Sequence, residues 1–359
     1  MELSADSSLD ASDLHPEADL AEVDLRGREL GDLDLEGADM RRADLRGAEL
    51  NGGDLTGADL RGADLRQATL AECLLTEADL RNADLTDATI TGSLLDEVRL
   101  EGAQLTSCTV RESVLNRAQA RGIDASGSTL EGVSVEGADL AGADFSNAEL
   151  QENAFMRAVL AQATLQGADL RTTVLTEANL AEADFREAVL SKAVLDGARA
   201  PGAQFLNAFL VATSARRADF SECDFSGAKL SVGEFARATL RRATLEEVVA
   251  EQVIFQYADL REVDFRESEF PLANLVGATL TGAHASNCNF YGADLHWAQT
   301  EDFQTTGCDF DDARQPREPS VAFGPRPSPP TVDPVPLFRT PATDRERTTL
   351  AEGNPNDHQ

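Results

Sequence analysis

Large apolar residues recur at every fifth position along most of the chain. From Leu20 to Phe310, the positions whose numbers end in 0 or 5 are Leu, Ile, Val, Met, Phe or Ala, apart from Thr300 and Thr305. Two residues before each of these positions, which we call centres, lies a second column that is mostly Ala, as at Ala38. A period of five fits neither a helix nor a strand. The pattern predicts a solenoid that turns every five residues and points one large and one small side chain inward.

The repeated motif reads Ala-Asp/Asn-Leu-x-x, as in residues 43–47 (ADLRG) and 83–87 (ADLTD). Over residues 18–310 the chain resembles the pentapeptide-repeat family. The resemblance implies an all-β fold, a right-handed quadrilateral parallel β-helix with about 20 residues per coil and roughly 14 to 15 coils. Composition then divides the chain into an acidic N-terminal segment or cap (1–17), the β-helix (18–310) and a proline-rich disordered tail (311–359).

The residues just before the centres support a 20-residue coil without reference to any family. When they are taken in steps of 20, they sort into columns of different chemistry. One column is acidic at Asp24, Asp44, Asp64, Asp84, Asp124 and Asp144, and a second at Asp39, Asp59 and Asp79. A third contains Thr69, Thr89, Thr109 and Thr129, and a fourth is aliphatic at Leu74, Leu94, Val114, Val174 and Val194. We therefore expect residues 20 apart to stack at the ~4.8 Å spacing of paired strands.

Glycine marks the predicted turns. Of 26 glycines, 21 lie two residues after a centre, which is where a type II turn requires a positive φ. The pair Pro201-Gly202 fits the two central positions of such a turn. We expect the Asp before each centre to accept hydrogen bonds from nearby backbone N–H groups.

The interior is expected to vary along the chain. All centres before Phe145 are non-aromatic, whereas Phe185, Phe205 and Phe225 follow one another in one column, so their rings should stack. Alanine occupies two centres in each of the stretches 111–135 and 196–217. These stretches predict a local bend, thinning or bulge. At the C-terminal end, Phe303 is predicted to plug the last coil.

The sequence shows no candidate for catalysis, and neither a cofactor nor a metal is predicted. A solid apolar interior leaves no pocket for converging polar groups, although stacked carboxylates leave calcium binding as an alternative. The cysteines all occupy the column of small residues and are expected to replace Ala as buried groups: Cys73, Cys108, Cys223, Cys288 and Cys308. A disulfide or a two-thiol metal site between Cys288 and Cys308 remains an alternative.

Residues 1–17 contain no Lys or Arg and lack the features of a signal peptide, so a cytoplasmic location is expected. No stretch is apolar enough to span a membrane. Ten of the 13 prolines follow residue 310, and this tail is either a linker or a proline-rich recognition segment.

The net charge of −33 argues against direct binding of nucleic acid. It favours a protein partner with a basic surface. Some members of the family that the chain resembles mimic DNA, bind gyrase and protect it from inhibitors, which is one alternative for the acidic columns. The other is that these columns are structural, since Arg41, Arg61 and Arg81 form a column beside Asp39 and Asp59.

The favoured hypothesis is a scaffold or adaptor that binds a protein through its flanks. Outward apolar residues are the candidate contacts, because contiguous exposed apolar surface marks interaction sites. The candidates are Leu74, Leu94, Val114, Phe209, Tyr257, Tyr291 and Trp297. Dimerisation through the coil ends and a role as an accessory component of a bacterial secretion system are further alternatives.

Overall fold

The computed structural model describes residues 13–316. Residues just before the centres pair in parallel with the residue 20 positions later, from the Asp19–Asp39 pair to the Asp294–Arg314 pair. The predicted parallel β-helix with a 20-residue coil is confirmed. Pairing extends four residues beyond the predicted end at 310, and the predicted tail from residue 317 onwards lies outside the described residues. So does the predicted N-terminal segment, apart from residues 13–17.

Each coil has four sides, separated by turns at every fifth residue. We number the sides by the column of residues that points outward just before the centres. The first side carries Asp39 and Asp59, the second Asp24 and Asp44, the third Thr69 and Phe209, and the fourth Leu74 and Leu94. The first side lies opposite the third, and the second opposite the fourth, because the chain visits them in this order.

Continuous strands form at only two places in the described chain. Strands β1 (Thr69–Ala71), β2 (Thr89–Thr91), β3 (Thr109–Arg111) and β4 (Thr129–Glu131) make a parallel four-stranded sheet on the third side. Strands β5 (His284–Ser286) and β6 (Gln304–Thr306) make a parallel pair on the second side. Elsewhere each side contributes a single paired residue per coil.

A left-handed residue ends every side of the coil. Every fifth residue from Glu17 to Asp312 has a positive φ, between 48° and 74°, and 21 of these residues are glycines. At most turns the residue after it donates its N–H to the carbonyl of the centre, as Ala43 does to Met40 at 3.0 Å. These are the predicted type II turns.

The interior is a continuous column of apolar side chains. The centres and the small residues two positions before them are almost all buried. Phenylalanine rings stack along the second side, with centroids 4.9 Å apart for Phe185 and Phe205 and 4.7 Å apart for Phe205 and Phe225. At the C-terminal end, Phe303, which was predicted to plug the last coil, packs in part against this core.

Buried polar residues in the small column have backbone partners that the sequence did not predict. The hydroxyl of Ser93 donates to the carbonyl of Leu70 at 2.9 Å, and the thiol of Cys223 donates to the carbonyl of Ala200 at 2.8 Å. The same hydroxyl of Ser93 accepts the N–H of Cys73 at 3.0 Å. Each of these side chains therefore gives a backbone group of the preceding coil a hydrogen-bond partner that a buried apolar side chain could not provide.

Of the bend, thinning or bulge predicted at the alanine-rich stretches, the bulge is wrong, because parallel pairing runs through both without a change of register. In the first stretch the missing volume remains as a cavity of about 30 Å³ inside the coil. Its lining includes Leu105, Leu115, Ala120, Ala125 and Leu130. In the second stretch the rings of Phe205 and Phe220, 5.8 Å apart, lie beside the alanines and occupy the space.

Two matched substitutions test this difference in packing. Ala120→Val places two methyl groups into the cavity and should raise the free energy of unfolding by about 1 kcal/mol. Ala200→Val makes the same change at a centre surrounded by packed rings and should lower it by about 1–3 kcal/mol. The measurement is the urea midpoint of each variant at an unchanged slope. Equal shifts of both midpoints in the same direction would contradict the presence of a cavity beside Ala120 and tight packing beside Ala200.

Candidate interaction surfaces

The fourth side carries an uncharged outward column through much of the chain. From Leu74 the column continues through Leu94, Val114, Ser134, Ala154, Val174, Val194 and Ser214, each paired in parallel with the next. Leu94 is 42% exposed, Leu74 is similarly exposed, and the residues from Val114 onwards are half-buried. Seven steps of ~4.8 Å make this column ~34 Å long. We call it the apolar column.

Polar and charged residues border the apolar column. Asn116 accepts a hydrogen bond from the hydroxyl of Ser134 at 2.7 Å and from the N–H of Glu136 at 2.9 Å. Asp196 accepts equivalent bonds from Ser214 and from the N–H of Arg216. The surface is thus a narrow apolar strip with a hydrogen-bonded polar margin, as in the rim and core of a protein interface.

The other predicted contact residues do not join this strip. Phe209 is exposed on the third side, between Val189 and Lys229 in its column. Tyr291 lies at the turn between the third and fourth sides, where its hydroxyl donates to Asp312 at 2.9 Å. Tyr257 and Trp297 share the turn column between the fourth and first sides. The predicted residues therefore belong to separate surfaces.

Two exposed apolar residues were missed by the sequence reasoning. Val232 and Leu272 lie at positive φ in the turn column between the third and fourth sides, where both are exposed. The signal was present, because both residues stand two positions after a centre, at the turn position where glycine is the most common residue.

The acidic columns of the first and second sides are paired with arginine in the first coils. Arg26 donates through Nε to Asp24 Oδ1 at 2.9 Å and through Nη2 to Asp24 Oδ2 at 2.5 Å. This two-bond pairing of an Asp with the Arg two residues later recurs on both sides. It occurs in the pairs Asp44–Arg46, Asp64–Arg66, Asp39–Arg41, Asp59–Arg61 and Asp79–Arg81.

These pairs also connect successive coils. Arg46 Nε lies 3.4 Å from the carboxylate of Asp64 in the next coil, as well as bonding Asp44. The side-chain hydrogen bond from Arg26 lowers the pKa of Asp24 to about 2. Arginine therefore neutralises most of the acidic charge of the first two sides in this region, and the carboxylates here are largely structural.

Farther along the second side, carboxylates have hydroxyl partners instead of guanidinium groups. Asp124 accepts a hydrogen bond from the hydroxyl of Ser126 at 2.6 Å, and Asp144 accepts one from Ser146 at 2.5 Å. The hydrogen bond from Ser126 lowers the pKa of Asp124. The negative charge of these two residues faces solvent without a cation beside it.

The cysteines are free thiols, and the disulfide considered between Cys288 and Cys308 is not formed. Burial raises the pKa of Cys108 and that of Cys288 to about 12 each. Residues 13–316 contain no group of three or more His, Cys, Asp or Glu side chains that could hold a metal ion. Within the same residues, no helix is long and apolar enough to cross a membrane.

The sequence profile of the pentapeptide repeats matches eight copies in the chain, over residues 18–62, 54–92, 126–153, 155–191, 190–231, 234–270 and 272–299. A comparison with curated protein sequences found no match.

Several solved structures are similar to the chain. HetL, a pentapeptide repeat protein involved in heterocyst differentiation regulation from the cyanobacterium Nostoc sp. strain PCC 7120, is 22% identical over 74% of this chain and 87% of its own, with a TM-score of 0.18. QnrB1, a plasmid-mediated fluoroquinolone resistance protein, is 17% identical over 63% of this chain and 88% of its own, with a TM-score of 0.28. A pentapeptide repeat protein of the Arabidopsis thaliana thylakoid lumen is 30% identical over 30% of this chain and 70% of its own, with a TM-score of 0.17. None of these likenesses extends to function.

Proposed function

The chain belongs to the pentapeptide-repeat family, and we propose that it acts as a non-catalytic, acidic rod that binds a partner protein along one flank. The observation that carries this proposal is the apolar column of the fourth side. Its residues occupy outward positions that the other columns of the same coils fill mostly with polar or charged residues, with Val159, Val189 and Phe209 as the apolar exceptions. The chain has a net charge of −33, but this strip is uncharged. Its burial under a partner therefore costs little desolvation free energy.

The partner is expected to present an apolar ridge bordered by basic residues. The apolar ridge would cover Leu94 and its neighbours, and a basic residue would meet the acidic margin at Asp96, whereas Glu136 is already bridged by Arg157. A strip ~34 Å long is long enough for an extended strand or a helix of a partner. We place this interaction in the cytoplasm, since the free buried thiols suit a reducing compartment.

Site-specific photo-cross-linking in the cells that make the chain tests the proposed flank. A benzophenone side chain at position 94 should yield one major protein adduct, because Leu94 lies at the exposed part of the strip. The same group at position 84, where Asp84 points outward on the opposite side, should yield none. The triple change Leu74→Asp, Leu94→Asp and Val114→Asp should reduce binding of the identified partner at least about tenfold.

The triple variant should remain folded, because Asp34 and Asp54 already occupy the same column. Adding three carboxylates on the third side instead, by Thr69→Asp, Thr89→Asp and Thr109→Asp, gives a control with the same charge. Equal amounts of adduct from positions 84 and 94, or equal loss of binding in both triple variants, would contradict partner binding on the fourth side.

DNA mimicry is the second candidate, and the unpaired carboxylates of the second side favour it. Residues 21–310 contain 50 acidic and 25 basic residues. Asp124, Asp144 and Asp224 accept from Ser126, Ser146 and Ser226 and have no cation beside them. Asp124 and Asp144 are adjacent in the column and Asp224 lies four coils farther along. These charges could meet the DNA-binding face of gyrase, as in family members that protect this enzyme.

This second candidate predicts that the purified chain inhibits DNA supercoiling by gyrase at micromolar concentration. The changes Asp124→Asn, Asp144→Asn and Asp224→Asn should relieve the inhibition, because they remove the exposed charges. The matched changes Asp39→Asn, Asp59→Asn and Asp79→Asn remove the same number of charges from arginine-paired positions and should have a smaller effect. Absence of inhibition by the unaltered chain would exclude this candidate.

A further inference from the structure

One turn column of this acidic protein carries basic and aromatic residues and no carboxylate. Among residues 13–316, it lies between the fourth and first sides in the last five coils whose turn there is fully described. The central residues of these stacked turns are Arg216-Arg217, Ala236-Arg237, Gln256-Tyr257, Val276-Gly277 and His296-Trp297. We call this column the basic-aromatic corner. By contrast, the corner between the second and third sides carries Glu246, Glu247 and Glu267 in the same coils.

Cationic side chains without a carboxylate partner are concentrated in the coils that contain and precede the start of this corner. Among residues 13–316, five cationic side chains have no carboxylate within 4.0 Å, and all five lie between positions 192 and 237. They are Lys192, Arg199, Arg217, Lys229 and Arg237. Arg217 and Arg237 belong to the basic-aromatic corner and are exposed, and Arg199 is exposed beside it on the first side. Most of the other arginines are paired with a carboxylate, so these guanidinium groups remain available to an outside anion.

Carboxylates near the corner are mostly paired with arginines other than Arg217 and Arg237. Glu234 is bridged by Arg216. Asp259 is bridged by both Arg241 and Arg261, at 2.6 Å each. Asp219 accepts from the hydroxyl of Ser221 at 2.6 Å and is the one nearby carboxylate without a cation at salt-bridge distance. The local balance is therefore positive, although the whole chain is negative.

Aromatic rings continue the corner beyond its arginines. The guanidinium of Arg237 lies 5.9 Å from the centroid of the Tyr257 ring, within the range of a cation–π contact. The Tyr257 ring lies over Gly277, where an added Cβ would come within 2.5 Å of it. Trp297 follows one coil later, 55% exposed, with its ring 4.4 Å from that of His296. Glycine at position 277 thus leaves the Tyr257 ring room to lie along the corner toward Trp297.

We propose that the basic-aromatic corner binds a short, acidic, extended peptide segment of a partner protein. Two carboxylates of the peptide pair with Arg217 and Arg237, and its apolar residues pack on Tyr257 and Trp297. Four steps of ~4.8 Å separate Arg217 from Trp297, a length of ~19 Å that corresponds to about six residues of extended peptide. This site is independent of the apolar column, since it uses different residues and an acidic rather than a basic partner.

Charge favours a peptide over nucleic acid as the occupant. A nucleic acid strand brings one phosphate per nucleotide over its whole length, and a chain of net charge −33 repels such a polyanion. Only two unpaired guanidinium groups stand on the corner itself, which matches the two carboxylates of a short segment. Exposed arginine and aromatic residues are also the types enriched at protein interfaces.

Trp297 is the only tryptophan of the chain, so its fluorescence reports directly on the site. The probe is the acetylated hexapeptide EEGSLL, which has no aromatic residue. It should change the fluorescence in a saturable manner, and the neutral peptide QQGSLL should bind at least about threefold more weakly. The double change Arg217→Gln and Arg237→Gln should weaken binding of EEGSLL about three- to tenfold.

The control is the double change Lys192→Gln and Lys229→Gln, which removes two unpaired cations from other columns. It alters the net charge equally and should leave binding unchanged. The proposal is overturned if EEGSLL gives no saturable change, if QQGSLL binds as well, or if both double variants lose binding equally. Tighter binding of single-stranded hexathymidylate than of EEGSLL would overturn it in favour of a nucleic acid site.

Discussion

Parallel backbone pairing between residues 20 positions apart is the constraint on which the rest of this protein depends. Leu20 donates its N–H to the carbonyl of Asp39 at 2.7 Å, and Asp39 donates its own N–H to Ala18 at 2.9 Å. The same two bonds recur along the described chain. Because each side ends in a left-handed residue, the pairing can continue only while five residues separate the turns. One large and one small side chain per side are then directed inward, and their burial stabilises the coil.

This constraint decides where chemistry can occur. Between residues 13 and 316 the interior is filled mostly by apolar residues and no long connection separates the sides, so outward side chains are arranged in columns along a flank. A column is neutralised where arginine follows two residues after Asp, as at Asp24 and Arg26. Other columns differ in chemistry. The column of the fourth side is uncharged from Leu74 to Val194, and the corner that contains Arg237 and Tyr257 is basic and aromatic. Partner binding along a flank is the function that we propose for such a surface.

The sequence predicted the coil because its repeat leaves few alternatives. A large residue at each centre and acidic residues recurring in steps of 20 predicted the inward and outward columns, including the exposure of Leu94. The sequence did not predict the two-bond pairing of Arg26 with Asp24, because that pairing depends on how the turn brings the two side chains together outside the coil. The cavity beside Ala120 and the packed region beside Ala200 also differ for a reason that no single position reveals. The space left beside each alanine depends on the size of the centres around it in the same and neighbouring coils, such as Phe205 and Phe220 beside Ala200.

The most direct test of this account is the distance between two spin labels on one outward column. Thr86 and Ser226 are both the residue that follows a centre on the second side, and they are seven coils apart if each coil has 20 residues. With the five cysteines replaced by Ala and labels on T86C and S226C, double electron–electron resonance should give one narrow distribution near ~34 Å. A mean distance below ~25 Å or above ~45 Å would contradict the 20-residue coil and, with it, the columns from which the interaction surfaces were inferred.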